Sequence, residues 1–296
     1  MSVIATESLT RRYGTRIGIE EMDLRVPEGS LFGFLGPNGS GKTTTIRLLL
    51  GLLRPNEGTA SVFGLDCWRE SARIKREIGY LPGDLRLYSW MNGERALRVL
   101  GSIRGRDMMV EGRTLARWFE LDLTVKVPKM SRGMRQKLGL LLAMAHRPRL
   151  LILDEPTAAL DPLMQDRLHQ HLKSLAAAGH TIFFSSHALG EVETLCDRIA
   201  ILREGRLVAH STLDELRSRS RRKVAIRWKT PAGAAQPAPT FLDIRERDHA
   251  SWTCLLAGPI EDLLRWASSQ PLEDISIGQP DLEMLFQQYY RGGAQP

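Results

Sequence analysis

The residues best suited to chemistry form a glycine-rich stretch at positions 34–47, which reads FLGPNGSGKTTTIR. Its spacing is G-x-x-x-x-G-K-[ST], a pattern in which glycines leave successive backbone N–H groups free to surround a polyphosphate. Lys42 supplies a positive charge for the outer phosphates, and Thr43 supplies a hydroxyl ligand for Mg²⁺. The stretch therefore predicts a phosphate-binding loop that includes Gly36, Gly39 and Gly41.

The sequence on either side of this loop suits the same role. Residues 31–35 form a short apolar run that predicts a strand, and residues 44–53 predict a helix that Arg54 and Pro55 end. A helix that begins near Lys42 adds the positive end of its dipole to the site. An ordinary glycine-rich turn with a solvated lysine is the alternative, and the strand–loop–helix context disfavours it.

A second candidate site ends a strongly apolar run. Residues 150–156 read LLILDEP, which predicts a buried strand followed by two adjacent carboxylates. Because side chains alternate along a strand, we expect Asp154 and Glu155 on opposite sides of its end. Asp154 is suited to hold Mg²⁺ through a water shared with Thr43, and Glu155 to deprotonate a water that attacks a γ-phosphate. The alternative is a pair of carboxylates at a solvent-exposed strand edge.

Three further residues occupy positions where ligands bind. His187 follows a buried strand predicted at 180–186, at the edge where open α/β sheets bind ligands. Tyr13 lies at the turn of a hairpin predicted within residues 3–30, where its ring either stacks on adenine or faces solvent. Ser131 is expected to cap the helix that begins near residue 134, and that helix end is either an anion site or an ordinary capped terminus.

Composition excludes several classes of protein without selecting an activity. The chain has 296 residues, of which 43% are hydrophobic and 25% charged, which argues against a disordered or fibrous protein. The longest apolar run, residues 138–145, is too short to cross a bilayer, and the N-terminus lacks the apolar segment of a signal peptide. Cys67, Cys196 and Cys254 are too widely spaced to indicate a zinc site or a disulfide framework, which fits a reducing cytoplasm. The net charge of +7 is compatible with nucleic acid, lipid head groups or phosphate ligands alone.

The pattern of elements predicts two domains. The first covers residues 1–215 and contains a helical insert at about 84–146. A basic string at 217–223 is interpreted as a solvated linker that could touch lipid head groups. The second domain, residues 222–296, alternates strands and helices as a small α+β unit, with a flexible loop predicted at 231–240.

In combination, these motifs resemble those of the ATP-binding subunits of ABC transporters, over residues 1–215. GPNGSGKTT is similar to the family's Walker A motif, LLILDEP to Walker B, and ALD at 159–161 to the D-loop. MSRGM at 130–134 is similar to the signature motif, and its basic residue resembles exporter-type subunits that act on drugs, polysaccharides or peptides. One position departs from the family, because Gly83 stands where the Q-loop glutamine is expected. Loss of that amide is expected to slow hydrolysis unless a water or Asp84 takes its place, and the water is favoured because a third carboxylate would add repulsion.

The resemblance implies an α/β P-loop NTPase fold with a RecA-like core, an antiparallel β-subdomain, a helical insert and a C-terminal α+β appendage. It implies an ATPase that uses Mg²⁺, with Glu155, His187 and Lys42 as catalytic residues and Thr43 and Asp154 at the metal. The nucleotide-binding residues it implies are Tyr13, Gly36, Pro37, Asn38, Gly39, Ser40, Gly41, Lys42, Thr43 and Thr44, with Ser131, Arg132 and Gly133 supplied by a partner subunit.

The resemblance also implies an assembly. In it, two copies form a head-to-tail homodimer, and a separate integral-membrane permease docks near the helical insert at the cytoplasmic face of the membrane. The alternative is a non-transport ATPase of the same superfamily that acts on nucleic acid or ribosomes. A single ATPase cassette without long coiled coils disfavours it. A nucleotide-sensing module without turnover is a third possibility, which the presence of Glu155 and His187 opposes.

Overall fold

The computed structural model describes residues 2–280 and 282–291. The chain divides into two compact units, unit 1 (Met1–Leu213) and unit 2 (Asp214–Pro296). Among the described residues, no helix combines the length and the apolar character needed to span a bilayer.

The described strands follow one another as β1 (Ser2–Tyr13), β2 (Arg16–Met22), β3 (Arg25–Pro27), β4 (Leu31–Leu35), β5 (Glu57–Val62), β6 (Leu65–Asp66), β7 (Ile78–Leu81), β8 (Leu150–Asp154), β9 (Thr181–Ser186), β10 (Arg198–Arg203), β11 (Arg206–Thr212), β12 (Arg222–Trp228), β13 (Leu242–Arg247), β14 (Ser251–Leu256) and β15 (Leu272–Pro280). The described α-helices are α1 (Lys42–Leu49), α2 (Ser71–Arg76), α3 (Gly93–Arg104), α4 (Met109–Trp118), α5 (Arg132–Met144), α6 (Pro162–Ala177), α7 (Leu189–Leu195), α8 (Leu213–Arg219), α9 (Pro231–Ala235), α10 (Ile260–Ser268) and α11 (Leu282–Arg291).

A six-stranded sheet forms the centre of unit 1, in the order β11-β10-β4-β9-β8-β7. Its strands are parallel except for the edge strand β11. Every residue of β4, β8 and β9 is buried, as expected for strands covered on both faces. The register pairs Leu35 with Ser186 and Asp154 with Ser185, so β4, β8 and β9 end at the same edge. This edge collects the polar residues that follow each apolar run.

An antiparallel sheet in the order β2-β1-β5-β6, with β3 paired to β1, packs against this centre. Its first hairpin turns at residues 14–15 and leaves Tyr13 41% exposed, as predicted for a turn residue. The core that joins the two sheets is apolar and includes the stacked rings of Phe32 and Phe183, whose centroids lie 5.8 Å apart. This packing fixes the hairpin beside the loop that follows β4.

The helical insert consists mainly of α3, α4 and α5. Asn92 caps α3 by accepting a hydrogen bond from the backbone N–H of Arg95 at 2.9 Å, and Ser131 caps α5 in the same way. Gly139 of α5 lets the helix approach the segment after β7, because a Cβ at this position would lie 2.5 Å from Leu85 Cδ2. The insert is therefore packed against the residues that connect it to the central sheet.

Unit 2 is an antiparallel sheet in the order β13-β14-β12-β15, with α9 between β12 and β13 and α10 between β14 and β15. This succession and strand order are those of the ferredoxin-like β-α-β-β-α-β arrangement. Its core contains Trp228 and Trp252, which are fully buried and pack edge to face with their ring centroids 4.7 Å apart.

Two predictions about the C-terminal part are wrong. The predicted flexible loop contains the helix Pro231–Ala235, which Thr230 caps and which begins with proline, a favoured first helical residue. The basic string 217–223 is not a linker, since it ends α8 and begins β12. Strand β13 lacks a counterpart among the predicted elements. The helix after the glycine-rich loop is confirmed, although it starts at Lys42 and ends at Leu49.

Candidate functional site

The glycine-rich loop connects β4 to α1 with its backbone turned inward. Gly41 caps α1 without a side-chain hydrogen bond and has φ of 111°, a value that favours glycine. A Cβ on Gly41 would also lie 2.5 Å from the carbonyl oxygen of Gly18, so a larger residue could not be accommodated. The N-terminal N–H groups of α1 therefore face the loop as an anion-binding site.

Lys42 extends into this loop. Its side chain is almost fully buried, and Nζ donates hydrogen bonds to the carbonyl oxygens of Gly36 (2.6 Å) and Pro37 (3.3 Å). The same nitrogen lies 3.5 Å from Glu155 Oε1. Since a buried ammonium group is costly unless it is paired, these three oxygens stabilise a positive charge inside the loop.

Asp154, at the end of β8, is held by two hydroxyl groups. It is 2% exposed, and its Oδ2 accepts a hydrogen bond from Thr43 Oγ1 at 3.1 Å. Its Oδ1 accepts a short hydrogen bond from the buried Ser185 of β9. Ser185 was not predicted as a site residue. The signal that could have found it is a serine that falls beside Asp154 once β8 and β9 are placed in register.

Glu155 adopts a left-handed backbone conformation, with φ of 52°. We predicted that alternation along β8 would place the two carboxylates on opposite sides of the strand. That reason is wrong, because β8 ends at Asp154 and the chain turns at Glu155. The turn is fixed by hydrogen bonds from Glu155 N–H to Ser185 O at 3.1 Å and from Gln136 Nε2 to Pro156 O at 2.9 Å. Strained backbone of this kind is concentrated at functional sites. Gln136, which is buried on α5, was another residue that the sequence analysis missed.

The side chain of Glu155 lies between His187, with which it could exchange a proton, and the positively charged Lys42. Its Oε2 is 2.8 Å from His187 Nδ1, and its Oε1 faces Lys42 Nζ. Glu155 Oε1 is buried and accepts no hydrogen bond from the described residues. A buried carboxylate oxygen of this kind is available to a water or a ligand.

The oxygen atoms around Thr43 and Asp154 fit Mg²⁺. A hydroxyl and a carboxylate 3.1 Å apart form part of a hard-oxygen ligand set, which phosphate oxygens and water would complete. Within residues 2–280 and 282–291, no group of three or more His, Cys, Asp or Glu side chains is placed to hold a metal ion. A Mg²⁺ site shared with a nucleotide does not require such a group.

Lys42, Thr43, Asp154 and Glu155 line one cleft of about 860 Å³. Tyr13, Arg16 and Ile17 lie in the lining together with the glycine-rich loop, Asp154 and Glu155. Tyr13 is 41% exposed, and the Arg11 guanidinium lies over one face of its ring, 5.0 Å from the centroid. The cleft thus contains an aromatic face and a polyphosphate site, the two features that a purine nucleotide requires.

Tyr80 of β7 also lines this cleft and was not selected from the sequence. Burial, with a smaller contribution from the charge of Asp154, raises the pKa of the Tyr80 phenol to about 12, and the Arg47 guanidinium opposes the shift. The phenol is therefore a neutral hydrogen-bonding group at neutral pH. A single tyrosine in a short apolar strand carries no sequence pattern that marks it.

The segment after β7 passes beside Asp154. A Cβ on Gly83 would lie 3.2 Å from Asp154 Oδ2, so the backbone at this position is close to the carboxylate. Asp84 lines the cleft as well, and its Oδ2 accepts hydrogen-bonding contacts of 3.0 Å from both Nε and Nη2 of Arg86. The carboxylate of Asp84 is thus paired with an arginine.

The serine–arginine–glycine sequence at 131–133, which caps and begins α5, lies outside the cleft. Ser131 Oγ accepts a hydrogen bond from the backbone N–H of Met134 at 3.1 Å, and Ser131 and Arg132 are exposed. A Cβ on Gly133 would lie 2.9 Å from the carbonyl oxygen of Ala159, which places the signature segment beside residues 159–161. The cleft lining includes none of residues 131–133. Within one chain, the structure therefore brings together Lys42 and the strand-end residues but leaves this segment apart from them.

Known proteins are similar to this chain in sequence and fold. A sequence model for the family described as ABC transporter matches residues 19–158. The bacitracin transport ATP-binding protein BcrA of Bacillus licheniformis is 36% identical over 224 residues, which cover 75% of this chain and 73% of that protein. The daunorubicin resistance ATP-binding protein DrrA3 of Streptomyces coeruleorubidus is 31% identical over 303 residues, which cover 96% of this chain and 95% of that protein. A solved structure of an ATP-binding subunit of an ABC transporter has a TM-score of 0.70 and 30% identity, and the match covers 74% of this chain and 93% of the solved one.

Proposed function

The chain belongs to the ABC transporter family as an ATP-binding, ATP-hydrolysing subunit, and from this premise we propose that two copies share their active sites and drive a separate membrane permease. The observation that carries the proposal is the exposed position of Ser131 and Arg132, outside the cleft formed by the same chain. A helix N-terminus with a serine and an arginine is suited to bind phosphate. Each cleft would receive this segment from the other copy.

In the proposed mechanism, Glu155 activates the attacking water. Its carboxylate accepts a proton as the water oxygen bonds to the γ-phosphorus, and the bond between this phosphorus and the β–γ bridging oxygen breaks to release ADP. His187, at 2.8 Å from Glu155, orients the carboxylate. Lys42 offsets the charge on the outer phosphates, a type of stabilisation that needs no rearrangement during the reaction.

Thr43 and Asp154 are the residues that would hold Mg²⁺, and Ser185 fixes the orientation of Asp154. The bound ion would neutralise charge on the β- and γ-phosphate oxygens. The backbone of residues 36–44 would surround the phosphates, and Tyr13 would stack on adenine. These assignments make unit 1 the ATPase domain and leave unit 2 as an accessory domain.

An apolar groove of about 330 Å³ is the proposed docking site for the permease. Its lining includes Leu52, Leu85, Leu87, Leu100 and Leu142. Tyr88 and Trp90, on the connection between β7 and α3, are 67% and 51% exposed, and their rings are stacked. An amphipathic helix of a permease fits a groove of this chemistry, because its apolar face would bury the leucines. Docking there would place the subunit at the membrane.

We further propose export of a drug-like or peptide substrate. The support is the similarity to a bacitracin transport protein and a daunorubicin resistance protein. The match to DrrA3 extends through both units, so unit 2 is shared with a relative of that group.

Two heterodimers with the same pair of substitutions test the shared site. One joins a Lys42→Ala copy to a Ser131→Arg copy, and the other joins a wild-type copy to a Lys42→Ala/Ser131→Arg copy. Each is purified through two different affinity tags, and its ATPase rate is measured. If sites are shared, only the first heterodimer keeps one intact site and hydrolyses ATP. Activity in the second heterodimer alone would show that each copy completes its own site.

A further inference from the structure

Residues 82–87, which we call the wall segment, separate the nucleotide cleft from the apolar groove. Pro82, Gly83, Asp84 and Arg86 line the cleft, whereas Leu85 and Leu87 line the groove. Leu85 also packs against Gly139 of α5. The wall segment is therefore one short stretch of chain with polar side chains towards the nucleotide and apolar side chains towards the proposed permease site.

Arg86 is the cation that the wall segment contributes to the cleft. In the structure its guanidinium pairs with Asp84, and the side chains are 88% and 77% exposed. A pair this exposed is weak, because water competes with it and both side chains lose freedom in forming it. The guanidinium can thus change partner at little cost when a stronger anion enters the cleft.

The position of the wall segment puts Arg86 near the metal end of the cleft. Gly83, three residues earlier, lies against Asp154, which pairs with Thr43 of the phosphate loop. The terminal phosphate is expected at this end, and the base at Tyr13. Arginine binds phosphate through parallel N–H groups, and a phosphate with two negative charges outcompetes a single exposed carboxylate.

We infer that Arg86 binds the terminal phosphate of a nucleoside triphosphate and that Asp84 holds the same guanidinium when this phosphate is absent. The inference rests on the nucleotide cleft proposed above and adds a residue that distinguishes triphosphate from diphosphate.

The test measures dissociation constants of the non-hydrolysable triphosphate AMP-PNP and of ADP, with Mg²⁺, for full-length variants. Arg86→Ala should weaken AMP-PNP binding about tenfold or more, as expected for one charge-assisted contact, and leave ADP binding within about twofold. Asp84→Asn should strengthen AMP-PNP binding by up to about threefold, because it frees Arg86 from a weak exposed pair. In the Arg86→Ala background, Asp84→Asn should have no effect. Arg98→Ala, which removes a 64% exposed arginine of α3 that is also paired with a carboxylate, is the control for net charge.

Three outcomes would overturn the inference. The first is that Arg86→Ala weakens AMP-PNP binding and ADP binding equally. The second is that Arg86→Ala leaves the AMP-PNP affinity unchanged. The third is that the effects of Arg86→Ala and Asp84→Asn on AMP-PNP affinity are additive in the double variant. Lys42→Ala separates these results from failure of the cleft itself. If Lys42→Ala weakens both nucleotides but Arg86→Ala weakens neither, the cleft stands and the role of Arg86 is wrong. If Lys42→Ala also has no effect, the nucleotide site has been misplaced.

Discussion

The two units of this protein bury different kinds of side chain. All of the buried polar or charged side chains among the described residues lie in unit 1, and Lys42, Asp154, Ser185 and Ser186 belong to them. In unit 2, the buried core of the described part is apolar, with Trp228 and Trp252 at its centre. Both units have a packed core, yet among the described residues only unit 1 buries charged side chains.

This difference indicates where the chain does chemistry. Burying a charge costs free energy unless a partner compensates for it, and Lys42 and Asp154 each have such partners at the edge of the central sheet. A core made for stability alone has no need of them. We therefore propose that the reactive groups lie in unit 1 and that unit 2 acts as a packed scaffold.

The largest effect is expected in the scaffold. Trp228→Ala should lower the free energy of unfolding of unit 2 by about 3–5 kcal/mol, because it removes a fully buried ring from the aromatic core. Leu264→Ala, at a position 51% exposed, should change it by less than about 0.5 kcal/mol. Denaturant unfolding followed by tryptophan fluorescence measures both. Loss of ATP binding in Trp228→Ala, with unit 1 still folded, would contradict the separation of roles.

A decrease in pH should lower the free energy of unfolding of unit 1 more than that of unit 2. Burial, with a contribution from Arg104, lowers the pKa of His146 from 6.5 to about 4. The unfolded state therefore takes up a proton that the folded state excludes, and stability falls as the pH decreases from 6.5 towards 4, by about 3 kcal/mol in total. In unit 2, hydrogen bonds from Ser251 and Ala250 lower the pKa of Asp248, whose contribution is lost only below its ordinary value of 3.8.

His146→Gln should remove the part of this pH dependence that His146 contributes. The glutamine Nε2 lies about as far along the side chain as the imidazole Nε2, so it can still donate to the carbonyl oxygen of Ile78, which His146 Nε2 contacts at 3.1 Å, but the amide does not titrate. Urea unfolding at a series of pH values compares the slopes of wild type and variant. Equal slopes between pH 4 and 6.5 would show that His146 is not the source.

Lys42→Ala should weaken ATP binding by tenfold to a hundredfold, about 1.5–3 kcal/mol, because it removes the buried charge that faces the phosphates. Lys223→Ala, on an exposed position of β12 in unit 2, is the matched control and should leave the affinity unchanged. Isothermal titration of both variants with ATP provides the comparison. Similar affinities for the two would remove the basis for assigning nucleotide binding to the charged cleft.

The smallest effect is expected at Asp84. Asp84→Ala should leave the ATPase rate within about threefold, below ~0.7 kcal/mol, because the carboxylate pairs with Arg86 rather than with the groups around Asp154. Steady-state ATPase assays on the folded variant measure this. A collapse of turnover would instead mean that Asp84 takes the place of the glutamine missing at position 83.

The central sheet was predictable from sequence because buried parallel strands read as continuous apolar runs, and the residues after them are placed by the sheet itself. The residues that hold the site residues in place could not be predicted from the sequence. Ser185 and Gln136 act through the register between strands and the packing of α5, which no local pattern encodes. The turn at Glu155 could not be predicted for a similar reason, since alternation along β8 does not determine the backbone conformation after its last residue.

Unit 2 was less predictable in its short elements. Helix α9 lies in a stretch rich in proline, alanine and glycine, and its composition concealed the capping residue Thr230 and the proline that start it. The basic string at 217–223 was interpreted as a linker because of its charges. It reaches into β12, a strand in which alternate residues are buried. Composition alone therefore gave a wrong prediction here, because it does not reveal the backbone hydrogen bonds that distinguish a strand from a linker.

The measurement that tests the account most directly is the ATPase rate of Glu155→Gln. The substitution keeps the size and hydrogen-bonding reach of the side chain but removes its ability to accept a proton at neutral pH. The account predicts ATP affinity within about threefold of wild type and a rate reduced at least tenfold, a barrier increase of ~1.4 kcal/mol or more. Glu204→Gln, at an exposed turn, should retain full activity. A Glu155→Gln rate above about a tenth of the wild-type value would contradict the assignment of Glu155 as the base.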